Sequence, residues 1–303
     1  MNHNEKTTWT VGTILNWTQQ FFADRKVDEP RLSAELLLAH VLKCRRIELY
    51  MRYDCQPTSA QRKTLRPLVA RRANHEPIAY LIGKAQFFSL EFAVSPAVLI
   101  PRPETELIVD EVLKETDFVG HRAADRPLDI LDLGTGSGCI AVSLAVHRPG
   151  ARIVATDISP PALQIAQTNA KTHNVADRIT FLPGDLYSAL PEGSHEKKPF
   201  EFILANPPYV AEANADRVSP SVRRYEPASA VFAGTRGADF HQRIIAGTGE
   251  YLAPGGLLLM EIGEDQADIV SEMIHQADDL ADSILLTDST GRPRVVRAQA
   301  ERE

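Results

Sequence analysis

Asn206-Pro207-Pro208-Tyr209 closes the apolar run Phe200–Ala205 and offers two acceptors for a planar NH₂ group. The Asn206 side chain presents one carbonyl oxygen, and the main-chain carbonyl of Pro207 presents another. Each proline fixes its own φ and removes a backbone donor, so these carbonyls meet no competitor within the loop. Tyr209 adds an aromatic face with a polar tip. A substrate amide or exocyclic amine that gives one hydrogen to each acceptor presents its nitrogen at a fixed angle. A proline-rich turn after a strand explains four isolated residues equally well, so residues elsewhere must decide.

Asp132-Leu133-Gly134-Thr135-Gly136-Ser137-Gly138 lies where an apolar strand runs into a helix. Glycines there let the backbone approach a ligand and adopt φ values closed to side chains. Their Gly-x-Gly-x-Gly spacing differs from the Gly-x-Gly-x-x-Gly that cradles a dinucleotide pyrophosphate. Asp157 ends the next strand, where a carboxylate accepts both ribose hydroxyls of a nucleoside. Its competing role is to cap the following helix, but Ser159 fills that role ahead of Pro160-Pro161. Asp185, after the third strand, is either an acceptor for an adenine amino group or a simple turn residue, and Leu186 follows it. Together these residues describe an adenosine pocket, and the glycine spacing favours S-adenosylmethionine over NAD. Asn206 belongs to both sets, because the clamp must face the methyl donor. No metal is expected: the nine histidines show no ligand spacing, and Cys44, Cys55 and Cys139 are scattered.

The elements that position these residues alternate. Residues from about 10 to 75 read as helices, with Val11, Ile14, Leu15, Phe21 and Phe22 near helical spacing and Pro30 suited to a first turn. Ile78–Ile82 and Phe87–Val94, around Gly83-Lys84, read as a β-hairpin. Ser95-Pro96 and Ile100–Pro103 mark a linker, where Arg102 and Glu104 either hold the chain by ion pairing, the expected role, or line the substrate entrance. Beyond it, strands at 128–132, 152–156, 179–182, 202–205 and 256–261 alternate with helices at 104–116, 138–147, 160–173 and 239–252. That alternation predicts an α/β protein with a parallel, doubly wound sheet and its ligand at the strands' carboxyl edge. The expected domains are 1–75 (helical), 76–103 (hairpin and linker) and 104–303 (catalytic).

Asp132–Gly138, Asp157 and Asn206–Tyr209 resemble the motifs of class I methyltransferases acting on planar nitrogens. Within that class, Glu76–Gly83 and Val98–Glu106 are similar to the HemK/PrmC family, and Gly291–Val296 resembles its final strand. The resemblance implies a Rossmann-like catalytic domain behind a small helical domain that docks the protein substrate. It implies methylation of the glutamine in the Gly-Gly-Gln motif of class-1 peptide chain release factors, as part of translation termination. By position, Gly134–Gly138 and Asp157 would contact S-adenosylmethionine, and Asn206, Pro207, Pro208 and Tyr209 would hold the glutamine amide, with Asn206 and Pro207 catalytic. Some relatives place an aromatic residue directly after the third-strand Asp to pack on adenine. This chain has Leu186 there and Tyr187 next.

Charge bounds the alternatives. Residues 1–100 carry 14 Lys/Arg against 9 Asp/Glu, a balance of +5, and the remainder carries 19 against 31, or −12. An adenine-amino methyltransferase acting on nucleic acid would need a basic groove in its catalytic part, which that balance opposes. A ribosomal-protein glutamine methyltransferase and a non-catalytic nucleoside-binding module are the other readings. The Arg102-Pro103-Glu104 wording favours the release-factor branch, and the intact glycine turn and Asn206 favour an enzyme. Met1–Lys6 is polar, and no run of the 303 residues is long and apolar enough for a membrane span. The expectation is therefore a cytoplasmic monomer with no membrane and no stable nucleic-acid partner.

Overall fold

Thr10 opens the first helix, α1 (Val11–Ala23), by accepting the Thr13 N–H at 3.2 Å. The computed structural model describes residues 8–118, 127–193, 200–281 and 283–301. Pro30 occupies the first turn of α2 (Pro30–Leu42), where its missing N–H has no intrahelical partner to lose. A short α3 (Arg46–Met51) follows, and Thr58 caps α4 (Ser59–Arg72). Their apolar faces meet in one core that includes Val11, Leu15, Phe22, Leu37, Leu38, Leu49, Leu65 and Val69. Burying a Leu or Phe side chain in this way contributes about 1.5–3 kcal/mol. The described residues up to Lys84, together with Ser219–Tyr225, form one compact unit, and the Tyr225 hydroxyl donates to the Asn74 carbonyl within it.

The expected hairpin is displaced. Ile78–Ile82 is a helix, α5, preceded by Pro77 and closed by Gly83 at φ 74°. A five-residue apolar run buries itself as helix or strand, so periodicity alone does not separate them. The hairpin is instead β1 (Lys84–Phe87) and β2 (Leu90–Ala93), turning at Phe88 and Ser89 with φ of 48° and 60°. Positive φ at both turn positions matches the right-handed strand twist, but neither residue type signals it in sequence.

The second unit runs from Ala85 to Val218 and on from Glu226. Its strands are β3 (Leu128–Leu133), β4 (Ala151–Asp157), β5 (Ile179–Pro183), β6 (Phe200–Ala205), β7 (Leu252–Glu261), β8 (Ile284–Thr287) and β9 (Pro293–Gln299). They lie in the order β5-β4-β3-β6-β7-β9-β8. From β5 to β7 all pairs are parallel, but β9 is antiparallel to both neighbours. The sheet is thus mixed, not wholly parallel as expected. The connection from β8 to β9 is too short for a crossover, so only an antiparallel pair satisfies it.

One face carries α6 (Glu106–Phe118), α7 (Cys139–His147) and α8 (Pro160–Thr172), which bury Ile108, Val112, Leu144 and Ala170. The other carries α9 (Asp239–Tyr251) and α10 (Ala267–His275), which bury Ile244, Val270 and Ile274. A 3₁₀ turn, Pro103–Thr105, precedes α6 and delays its start relative to the sequence pattern. Among the described residues no helix is long and apolar enough to cross a membrane.

Candidate active site

The strand order reverses at β3, and the carboxyl ends of β3, β4, β5 and β6 open there onto a cleft of about 280 Å³. Ligands of open α/β sheets bind at such a switch point. The turn after β3 holds Gly134, Gly136 and Gly138 at φ of 71°, 56° and 80°. A Cβ built on Gly134 would meet nothing within 4 Å, so this backbone faces open cleft. Gly138 does not line the cleft. It starts α7, and a Cβ there would come within 3.0 Å of the Ala166 Cβ.

Three groups pin the turn from behind. Thr135 donates its N–H to the Thr156 carbonyl at 2.8 Å and its hydroxyl to Asp132 Oδ2 at 2.6 Å. Asp132 is fully buried, and desolvation pushes its carboxyl up to about 7 against the Thr135 hydrogen bond. Asn169 of α8 donates to the carbonyls of Ser137 at 2.8 Å and Ala93 at 3.0 Å, tying the turn to β2.

Asp157 accepts the Gly136 N–H through Oδ2 and the Ser159 N–H through Oδ1, each at 2.8 Å. Each oxygen keeps a further lone pair for a vicinal diol. Burial raises its pKa, with the two amide donors opposing that rise. Ser159 caps α8 by accepting the Ala162 N–H at 3.3 Å, so Asp157 is not the cap. Asp185 reaches the cleft with its Oδ2 engaged by Arg243 of α9 at 2.6 Å, a partner absent from the sequence reading. Leu186, at φ 52°, lines the cleft. Tyr187 turns away, its hydroxyl donating to the Ile244 carbonyl at 3.1 Å and its ring stacked on Tyr251 at 4.8 Å. Of the two, Leu186 is the one that faces the cleft. Open glycine backbone, a carboxylate with spare acceptor capacity and walls of Ile140, Ile158 and Leu186 fit S-adenosylmethionine.

Beside this cradle, Asn206, Pro207 and Pro208 line the same cleft. Asn206 Nδ2 donates to Thr105 Oγ1 at 2.9 Å, and no described residue donates to Asn206 Oδ1. Tyr209 does not line the cleft. Burial, with the nearby Glu261 charge, raises the pKa of its hydroxyl. Gln266 Nε2 clamps the loop by donating to the carbonyls of Tyr209 and Gly237, each at 2.9 Å. The expected ion pair of Arg102 is present at 2.6 Å to Glu226, whose other oxygen accepts the Ile100 N–H at 3.1 Å. This pair holds Val98, Pro101 and Thr105 along one wall and Pro227 along another.

Residues 13–83 match the family model of the PrmC N-terminal domain, and residues 115–221 match that of the methyltransferase small domain. The release factor glutamine methyltransferase of Chlorobaculum tepidum is 41% identical over 89% of this chain and 91% of its own. That of Geobacter sulfurreducens is 39% identical over 95% and 96%. The chain belongs to the release factor glutamine methyltransferase family. In fold it is similar to the hMettl16 catalytic domain in complex with a MAT2A 3'UTR hairpin, at a TM-score of 0.53 and 18% identity over 92% of this chain and 90% of that one. Sequence reasoning on this family member missed Thr105, Glu226, Arg243, Glu261 and Gln266. Glu261 carried a usable signal, because it ends the apolar run Leu257–Met260 as Asp157 ends its own strand. Gln266 and Arg243 carried none.

Proposed function

We propose that this chain transfers a methyl group from S-adenosylmethionine to the side-chain amide nitrogen of the Gly-Gly-Gln glutamine in class-1 peptide chain release factors. The observation that carries this reading is the Asn206 side chain, held by Thr105 with Oδ1 undonated, beside the glycine cradle and Asp157. S-adenosylmethionine, when bound, supplies an electrophilic methyl on a sulfonium that is already a good leaving group. Gly134–Ser137 and Asp157 bind the donor, with Asp185 and Leu186 at its base, while Gly138 serves the close packing of α7. Asn206 Oδ1 and the Pro207 carbonyl each accept one hydrogen of the glutamine NH₂. This aligns a nitrogen whose lone pair is otherwise delocalised into its own carbonyl. The same acceptors stabilise positive charge as it develops on that nitrogen. Pro208 shapes the loop, and Tyr209 supports it from behind.

Family membership favours this acceptor over a ribosomal-protein glutamine or an adenine amino group. The −12 balance beyond residue 100 also speaks against a nucleic-acid substrate. The enzyme works as a cytoplasmic monomer without a stably bound nucleic acid. Tritiated-methyl transfer to a release factor, a ribosomal-protein fraction and an oligonucleotide tests the assignment. Label is expected on the release factor alone, and preferential labelling of either competitor would refute it. Sedimentation of the pure protein tests the monomer.

A further inference from the structure

An amide side chain has a donor end and an acceptor end of nearly the same shape, so something must decide which end Asn206 turns to the cleft. A chain of buried hydrogen bonds leads away from it. Asn206 Nδ2 donates to Thr105 Oγ1 at 2.9 Å, and the Thr105 hydroxyl donates to Glu261 Oε2 at 2.5 Å. Thr105 and Glu261 are both buried. An ionised carboxylate only accepts, so it takes the single Thr105 proton. Thr105 Oγ1 can then only accept from residue 206, and the atom there must be Nδ2. Oδ1 is left to face the cleft.

We infer that Thr105 and Glu261 are positioning residues that fix the polarity of the Asn206 amide, so that it meets a substrate NH₂ as an acceptor. This rests on the reading of Asn206 as the amide clamp. Protonation of Glu261 would reverse the chain: its O–H donates to Thr105, Thr105 donates to an Asn206 carbonyl turned inward, and the cleft meets an NH₂ instead. Two donors would then face each other, and the substrate amide would lose its acceptor.

Burial pushes the Glu261 carboxyl up to about 7, so the reversal falls in an accessible range. The groups facing it are few. The Glu104 charge raises its pKa, while the Thr105 and Tyr209 hydroxyls and the Arg102 charge lower it. His241 meets the Glu261 main-chain carbonyl through Nε2 at 2.8 Å, and burial lowers its pKa against that hydrogen bond. Burial pushes the Cys139 thiol up to about 12, and the Arg294 charge interacts with Tyr209 and Glu104.

Single-turnover methyl transfer to a release factor, measured from about pH 5 to about pH 9, roughly two units either side of the Glu261 value, tests the inference. The wild-type rate is expected to rise as pH passes about 7, the Glu261 value. Glu261→Gln, whose amide can both donate and accept, should give a rate without that rise and below the wild-type plateau. Thr105→Val should lower the rate roughly 10–10²-fold, the scale of a misplaced reacting group, while Thr105→Ser recovers most of it. Calorimetry should find S-adenosylmethionine affinity little changed in all three variants, which separates positioning from a damaged fold. A Thr105→Val enzyme at the wild-type rate, or a Glu261→Gln enzyme that keeps the wild-type rise, overturns the inference. Full activity of Asn206→Ala would instead overturn the clamp on which it rests.

Discussion

Asn206 and Asp157 line one cleft, and their different hydrogen bonds predict separable defects. Asn206→Ala removes an acceptor that matters most as charge develops on the substrate nitrogen. It should lower turnover about 10²–10³-fold, the scale for losing one preorganised electrostatic partner. S-adenosylmethionine affinity should hardly move, and single-turnover kinetics beside calorimetry will separate the two effects. Asp157→Ala should do the reverse. It removes acceptors for a ribose diol and also releases the Gly136 and Ser159 amides. The expected loss is about 1.5–3 kcal/mol of cofactor binding, the value of hydrogen bonds to a charged group. A cofactor dissociation constant equal to wild type would refute that role. That both residues reach the cleft was legible from sequence, because each is a polar side chain at or just after the end of an apolar strand. Thr105 was harder to find: its partners, Asn206 and Glu261, are 101 and 156 residues away in the chain, so its role appears only once the sheet has formed.

At the scale of elements, the proline loop after β6 is held from outside itself. Gln266, at the start of α10, bridges the carbonyls of Tyr209 and Gly237. Gly237 sits at φ 76°, and a Cβ there would lie 2.6 Å from the Tyr209 carbonyl oxygen. Gly237→Ala must therefore shift the loop that carries the clamp. We expect it to cost about 1–3 kcal/mol of stability, the usual range for such strain. Turnover should fall roughly 10²-fold, because a small displacement of a reacting group is expensive. Denaturant midpoints and transfer rates measured on one preparation will test this, and a wild-type rate in a destabilised variant would uncouple the two. The strand–turn–helix around Gly134–Gly138 was legible because all of its determinants are contiguous. The mixed edge of the sheet was not. β8 is only Ile284–Thr287, with Ile284 and Leu285 exposed, so its apolar run is too short to distinguish from a loop. α5 was misread because Ile78–Ile82 is short enough to suit either period, and only its tertiary packing selects a helix.

At the scale of the whole molecule, two buried carboxyls couple stability to pH. Asp132 and Glu261 are each pushed up to about 7 by burial, from ordinary values near 4. Their folded-state pKa values are raised, so the folded protein holds protons that the unfolded chain releases as pH climbs from about 4 to about 7. Their stabilising contribution is complete below the unfolded values and is lost as pH rises through about 7. Glu261→Gln keeps a neutral side chain throughout, so its stability relative to wild type should improve by about 1–3 kcal/mol between pH 5 and pH 8. Thermal or denaturant unfolding at the two pH values will check this, and a pH-independent difference would contradict it. The ionised form that weakens the fold is the one that orients Asn206, a stability–activity trade-off at one residue. The acidic balance of the catalytic part and the helical unit of residues up to Lys84 with Ser219–Tyr225 both accord with a protein substrate. The most direct test is tandem mass spectrometry of a release factor incubated with S-adenosylmethionine and either wild-type or Asn206→Ala enzyme. One added methyl on the side chain of the Gly-Gly-Gln glutamine with wild type, and almost none with the variant, is the predicted result. An unmodified glutamine with active wild-type enzyme, or equal methylation by both, would contradict it.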